Sequence, residues 1–345
     1  MGSIVFIIPD LKGNGAEKII ITLAKGLANL GNDTLIICFQ EKFEFATDNL
    51  KIKIFPQKFF RWIPRKWRGI LVAPVLDFFI KITAGKLPDL VISSLLPSDR
   101  LMSHSRLKNV HLLLQSTMSR DMGSKNTLNE TRLYSKKSVI CCSDGVLNDF
   151  LEIHPSRRNY AKQIYNPIDI EEIQALSKNL IDLELPEKYI VHVGKFKSEK
   201  RHDILLKAFA ASGTHRKLVL VGQGPMESQI KELAEELNIE SKVFFAGFHA
   251  NPFPIIKQAD LLVLSSDYEG LPTVLLEALA IGTPCISTDC NSGPREILEQ
   301  HQLAPVGDIS TLSKMISLED YSKFKTELKD VFTLKYCLDQ YKKLF

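Results

Sequence analysis

Two carboxylates eight residues apart, Glu269 and Glu277, stand in the segment DYEGLPTVLLEALAIGTPCISTD at 267–289. Two ammonium groups, Lys195 and Lys200, stand in GKFKSEKR at 194–201. Acids can hold sugar or ribose hydroxyls, and a lysine pair at the end of a strand suits a diphosphate. Pro272 fits the first turn of a helix and Gly282 its stop, so Glu269 falls beside a helix N-terminus with its free N–H donors, and Glu277 falls inside the helix. Each feature also has a plain structural reading. Glu269 can simply complement the helix dipole, and the lysines can form a solvated basic loop. Glu277 is the more telling residue, because an unpaired carboxylate in so apolar a run would be costly.

Glycine turns add a second set of candidates. GNGAE, Gly13 to Glu17, follows one expected strand and opens the first expected helix, where free N–H groups and the helix dipole favour an anion such as phosphate. GQGP, Gly222 to Pro225, does the same in the second half. Neither is a dinucleotide fingerprint, since Lys18 and Glu227 occupy the place of the third glycine, and a nicotinamide oxidoreductase does not fit. Gly26 to Asp33 lacks the Lys and Ser/Thr of a P-loop, so an ATPase reading fails as well.

The elements that must position these groups follow one rhythm. Short β-branched runs alternate with stretches of helical period, the pattern of an α/β protein with parallel sheets. Strands are predicted at 3–8, 33–39, 90–93, 110–114 and 137–141, and again at 189–193, 217–221, 243–246, 261–264 and 284–287, with a helix from about Ala16 to Leu30 closed by Gly31. The region from Phe43 to Leu87 resists assignment and reads as insertions. Pro167 and Pro186 lie in a polar stretch that we read as the interdomain connection. The expected domains are 1–166, 167–320 and a charged helical tail, 321–345, packing back on the first.

Composition narrows the class. A chain of 345 residues points to two domains. With 45% hydrophobic and 24% charged residues it reads as an ordinary globular protein. A net charge of +4 is too small for a dedicated nucleic-acid binder. Six cysteines with no C-x-x-C pair argue against disulfide scaffolds and structural zinc. The N-terminus lacks the pattern of a signal peptide, and the longest apolar stretch, Ile70 to Ile80, is well short of the ~20 residues of a membrane span, so a cytoplasmic protein is expected.

In their order along the chain, GNGAE, YNPID, VGKFKSEKR, VGQGP, EGLPTVLLE and STDCNSGPREIL resemble the family 4 retaining glycosyltransferases, most closely those that build bacterial lipopolysaccharide, capsule or other surface glycans. The resemblance covers most of the chain and implies the GT-B architecture: two facing Rossmann-like domains with a cleft between them. It implies a donor site in which Gly13 and Gly15 face the diphosphate, Lys195 and Lys200 neutralise it, and Gly222 lines it. Phe248 would flank the nucleobase and Glu277 the ribose, while Glu269 with the turn Gly270, Leu271, Pro272, Thr273 and Val274, through its N–H groups other than at the proline, would hold sugar and phosphates. Catalysis would fall to Glu269, Lys195 and Lys200, with no metal and no cofactor. Lys195 stands where the family commonly has Arg. Gln115 stands where some members have His, with His104 nearby as a second acceptor-side candidate. The donor is a nucleotide sugar, UDP-linked by preference, and the acceptor an oligosaccharide or lipid-linked glycan. A sugar-nucleotide epimerase and a non-catalytic nucleotide- or carbohydrate-binding protein are the competing readings.

One segment stands outside that pattern. FFRWIPRKWRGILV, residues 59–72, interleaves Arg61, Arg65, Lys66 and Arg68 with Phe59, Phe60, Trp62 and Trp67, both tryptophans of the chain. Basic and aromatic groups so mixed predict docking on an anionic membrane surface, on its cytoplasmic face. The competing reading makes the aromatics core and the cations a solvated rim.

Overall fold

A computed structural model describes residues 1–12, 15–44, 47, 49–119 and 132–345, with Arg65 described in its backbone alone. The chain forms two compact units, Met1–Pro167 with Val331–Phe345, and Ile168–Asp330. Residues 321–330 therefore stay with the second unit, where the sequence reading begins a separate tail.

The first unit is built on apolar runs covered on both faces, β1 (Ser3–Ile8), β2 (Asp33–Cys38), β4 (Leu90–Ser94), β5 (Val110–Leu114) and β6 (Ser138–Cys141), flanked by two short and only half-buried edge strands, β3 (Ile52–Ile54) and β7 (Ala161–Gln163). They pair in parallel in the order β3-β2-β1-β4-β5-β6-β7. Helix α1 (Gly15–Asn29) turns Ile19, Ile20, Leu23, Ala24 and Leu27 inward at helical spacing and ends at Gly31, whose φ of 84° is the left-handed stop a glycine makes readily. Helices α2 (Arg65–Ala84), α3 (Leu96–Met102) and α4 (Asp144–Ile153) follow, the last capped by Ser143, whose hydroxyl accepts from the Val146 N–H at 3.2 Å.

The second unit opens with α5 (Ile170–Leu176) and repeats the plan with β8 (Tyr189–Val193), α6 (His202–Ser212), β9 (Lys217–Val221), α7 (Glu227–Glu236), β10 (Val243–Gly247), α8 (Phe253–Gln258), β11 (Leu261–Leu264), α9 (Thr273–Ile281), β12 (Cys285–Thr288), α10 (Pro294–Ile297), β13 (Leu303–Ala304) and α11 (Ile309–Ile316). Its parallel sheet runs β10-β9-β8-β11-β12-β13. The strand order thus reverses between β1 and β4 in one unit and between β8 and β11 in the other, the places where open α/β sheets take their ligands. Both halves are Rossmann-like and the α/β reading stands.

The tail is helical only over α12 (Leu334–Lys342). Before it, Tyr321 and Phe324 are buried in the core of the second unit, with the Tyr321 hydroxyl donating to Ile316 O at 2.6 Å, so apolar anchoring breaks the expected helix. Helix α12 returns to the first unit and lies on α1. Gly26 makes that approach possible, because a Cβ there would fall 2.8 Å from a Leu338 methyl. Among the described residues no helix is long and apolar enough to cross a membrane.

Candidate functional site

The predicted donor residues of the second unit collect at the carboxyl edge of its sheet. Lys195 and Lys200 follow β8, Gly222 follows β9, Phe248 follows β10 and Glu269 follows β11. Ser292, which the sequence reading did not single out, follows β12. At the switch point between β8 and β11, Lys200 Nζ lies 2.6 Å from Glu269 Oε1, an ion pair with only 21% and 13% of the two side chains exposed. The Ser266 hydroxyl donates to the same oxygen at 2.6 Å, and the Ser292 hydroxyl donates to Glu269 O. Ser265 ties the two loops together through Lys200 O at 2.8 Å. Next to them Arg201 holds Asp203 at 2.9 Å and Asp267 at 2.9 Å. These two carboxylates hold the Arg201 guanidinium firmly protonated. Lys195 is half-buried and, among the described residues, has no ion-pair partner.

Close backbone packing fixes the phosphate-side loops. Gly222 has φ 142°, and a Cβ there would meet Gly194 O at 2.1 Å, while a Cβ on Gly224 would meet Phe196 O at 2.5 Å. Gly194 N–H donates to Val221 O and Phe196 N–H to Gln223 O, at 2.9 and 3.2 Å. GQGP is thus a close approach of two loops, a reason for its glycines besides any anion. Beneath it lie two buried imidazoles the sequence reading did not single out. His192 faces Val263 O through Nδ1 at 2.9 Å, and His202 stacks on Phe196 with ring centroids 4.4 Å apart. Burial pushes His192 down to about 4 and His202 to about 2, with each other's proximity and Lys200 adding to the effect on His202, so both are neutral.

The acidic segment folds as its spacing predicts. Gly270, Leu271 and Pro272 are buried, α9 begins at Thr273, and its first N–H groups have no helical acceptor. Gly293, at φ 87°, lets the following loop press on this turn, since a Cβ there would come 2.5 Å from Pro272 Cδ. Glu277 is buried within α9, not a surface residue. Phe248 is 38% exposed beyond Gly247, whose φ of 74° turns the chain there.

In the first unit, Gly13 lies outside the described residues and Gly15 is the exposed first residue of α1. Gln115 follows β5 and accepts from the Asn166 side-chain amide at 2.8 Å. His104 does not join it. It lies after α3 and ahead of β5, at the opposite edge of the sheet, with Nδ1 near Ser103 Oγ at 3.0 Å and Nε2 near Lys136 Nζ at 2.9 Å. Helix α3 returns the chain to the amino edge, which removes His104 from any site at the carboxyl edge.

Fold and geometry together define a Rossmann-like unit with lysines and acids gathered at its switch point, the place where open α/β sheets take ligands. Residues 177–320, inside the second unit, match the family described as glycosyl transferases group 1. Among relatives, the N-acetylgalactosamine-N,N'-diacetylbacillosaminyl-diphospho-undecaprenol 4-alpha-N-acetylgalactosaminyltransferase of Campylobacter jejuni is 32% identical over 199 residues, covering 57% of this chain and 53% of its own. The lipopolysaccharide 1,6-galactosyltransferase of Escherichia coli is 32% identical over 162 residues, 42% and 45% of the two chains. The chain spans about half the length of the curated relatives it matches. Anabaena HepE, solved in complex with UDP and glucose, shares the fold over 99% of both chains with a TM-score of 0.79 at 21% identity.

Proposed function

We propose that the protein is a retaining glycosyltransferase that moves a hexose or N-acetylhexosamine from a nucleotide sugar, UDP-linked by preference, to a growing surface glycan or a lipid-linked acceptor. The observation that carries this reading is the Lys200–Glu269 pair at the β8/β11 switch point, inside the segment that matches the family. The names of the relatives, transferases of galactose and N-acetylgalactosamine, support transfer over epimerisation or binding alone. HepE, solved with UDP, supports the choice of nucleotide.

In this reading the bond between the anomeric carbon and the diphosphate breaks, and negative charge gathers on the departing nucleoside diphosphate. Lys195, Lys200 and the N–H groups at the start of α9 stabilise that charge without a metal. Glu269, held by Lys200 and Ser266, faces the donor sugar, Glu277 the ribose and Phe248 the base. Gly222, in close approach to Gly194, lines the diphosphate. Gln115 cannot act as a base, so the leaving phosphate takes the acceptor proton while Gln115 orients hydroxyls. A lipid-linked acceptor would be met at the cytoplasmic face of a membrane through residues 59–72. The test is incubation with a panel of UDP- and GDP-sugars, read by mass spectrometry. Free nucleoside diphosphate is the expected product, and a changed sugar on an intact nucleotide would make the protein an epimerase.

A further inference from the structure

Helix α2 is apolar on the side it buries and apolar again on the side it exposes. Val72, Ala73, Leu76 and Ile80 are fully buried. Trp67, Leu71, Val75, Phe78 and Ile82 recur at helical spacing on the opposite face, with Phe78 64% and Ile82 62% exposed. Exposed apolar side chains that run together in this way mark an interaction surface.

Charge says what kind. Residues 55–88 contain seven cations and one acid, a net charge of 7 − 1 = +6 against +4 for the whole chain, so the remainder carries 4 − 6 = −2. The one acid, Asp77, is turned inward, where it accepts from the Ser105 hydroxyl at 2.6 Å and the Arg106 N–H at 2.7 Å. The outer face is therefore apolar and basic only, with Lys58, Arg61, Lys66, Lys81 and Lys86 exposed around it. Not every cation of the 59–72 segment takes part, because the Arg68 guanidinium folds back to donate to Arg61 O and Ile63 O, each at 2.9 Å, and staples the turn. Ile63 is buried, whereas Phe59, Trp62 and Trp67 are exposed and not core.

The geometry points to α2 as an interfacial helix that lies flat in an anionic lipid surface, its Trp67-to-Ile82 stripe among the acyl chains and its lysines at the headgroups. A helix of 20 residues is about 30 Å long, so the contact runs well beyond the 59–72 segment. This inference rests on the proposed function only for its purpose, bringing the enzyme to a lipid-linked acceptor. A second copy of the chain is the other possible occupant, and the strong local positive charge disfavours it by self-repulsion.

The test uses the full chain with vesicles of phosphatidylcholine containing 30% phosphatidylglycerol, by sedimentation and tryptophan fluorescence, since both tryptophans are exposed, Trp67 on this stripe and Trp62 in the turn just ahead of α2. Binding that weakens with salt and a blue shift of emission are expected. F78E with I82E should reduce vesicle affinity at least tenfold while leaving the melting temperature and nucleoside diphosphate release unchanged. Binding of that variant equal to the parent, or no blue shift, overturns the inference. So does a dimer by light scattering that the variant converts to monomer. Vesicle binding needs no donor, so failure of the transferase reading would show separately, as absence of nucleoside diphosphate release.

Discussion

Glu269→Gln and Lys200→Met, made singly and together, measure how strongly the pair at the switch point is coupled and what it is for. At the observed 2.6 Å, unit charges attract by about 6 kcal/mol at an effective dielectric near 20. Both side chains keep some contact with water, at 21% and 13% exposure, and their desolvation offsets most of that gross term. A net coupling of about 1–3 kcal/mol is the expected result of the double-mutant cycle in urea. Glu269→Gln keeps an oxygen to accept from Ser266 and loses only the charge, so the fold should persist. Turnover should fall by about 10²–10³, the usual cost of one electrostatic contact made to a transition state. UDP affinity should hold or rise, because the freed Lys200 ammonium then meets phosphate without a competing carboxylate. Turnover is followed as UDP release and affinity by calorimetry. A coupling below about 0.5 kcal/mol, or near-parental turnover of Glu269→Gln, refutes the reasoning.

Gly222→Ala should cost about 3 kcal/mol or more, seen as a lower melting temperature, since its Cβ would lie 2.1 Å from Gly194 O. Gly31→Ala, also at positive φ but with nothing within 4 Å, should cost only about 1 kcal/mol, and equal losses would count against the close-approach account. The neutral imidazoles set an acid limit. The unfolded chain takes up protons near pH 6.5 where folded His192 and His202 do not, so stability is full above about 6.5 and falls as the pH drops toward 4. The slope is up to about 1.4 kcal/mol per pH unit for each imidazole. His202→Phe, which keeps a ring against Phe196, should flatten it in melts from pH 8 to 5, and an unchanged slope would contradict the assignment. Lys195→Ala should lower turnover more than donor binding, and EDTA should leave most activity, whereas a requirement for added Mg²⁺ would overturn the metal-free chemistry.

The sequence reading succeeds where burial is continuous. β1, β5, β8, β9 and β11 match their apolar runs to the residue, because each strand is covered on both faces and its ends are marked by turn residues. It fails on β3, β7 and β13, two or three residues each at sheet edges, where IKI and AKQ offer no period to read. Helix α2 hides for a different reason: with apolar residues on both faces it shows no stripe, and Pro74 sits within it. In the candidate site, the Glu269-to-Glu277 segment and the two lysines are legible because the chemistry lies in short motifs. His192, His202, Ser266 and Ser292 are not: the two imidazoles and Ser292 act through contacts across 10 to 71 residues that only the fold creates, and Ser266 through the turn that brings Glu269 back to it three residues on. A polar residue inside the buried run YIVHV was the one visible hint of His192. His104 misleads because nearness to β5 in sequence says nothing about which edge of the sheet it occupies.

The most direct test of the central claim is the release of nucleoside diphosphate from UDP-sugars by the purified chain, followed by mass spectrometry beside Glu269→Gln. The account predicts UDP from at least one UDP-sugar, with the sugar passed to water or an added glycan, and a rate at least a hundredfold lower for the variant, in line with the loss of one electrostatic contact. UDP-sugars recovered intact, carried to an epimer on an unbroken nucleotide, or cleaved equally fast by the variant, would contradict it.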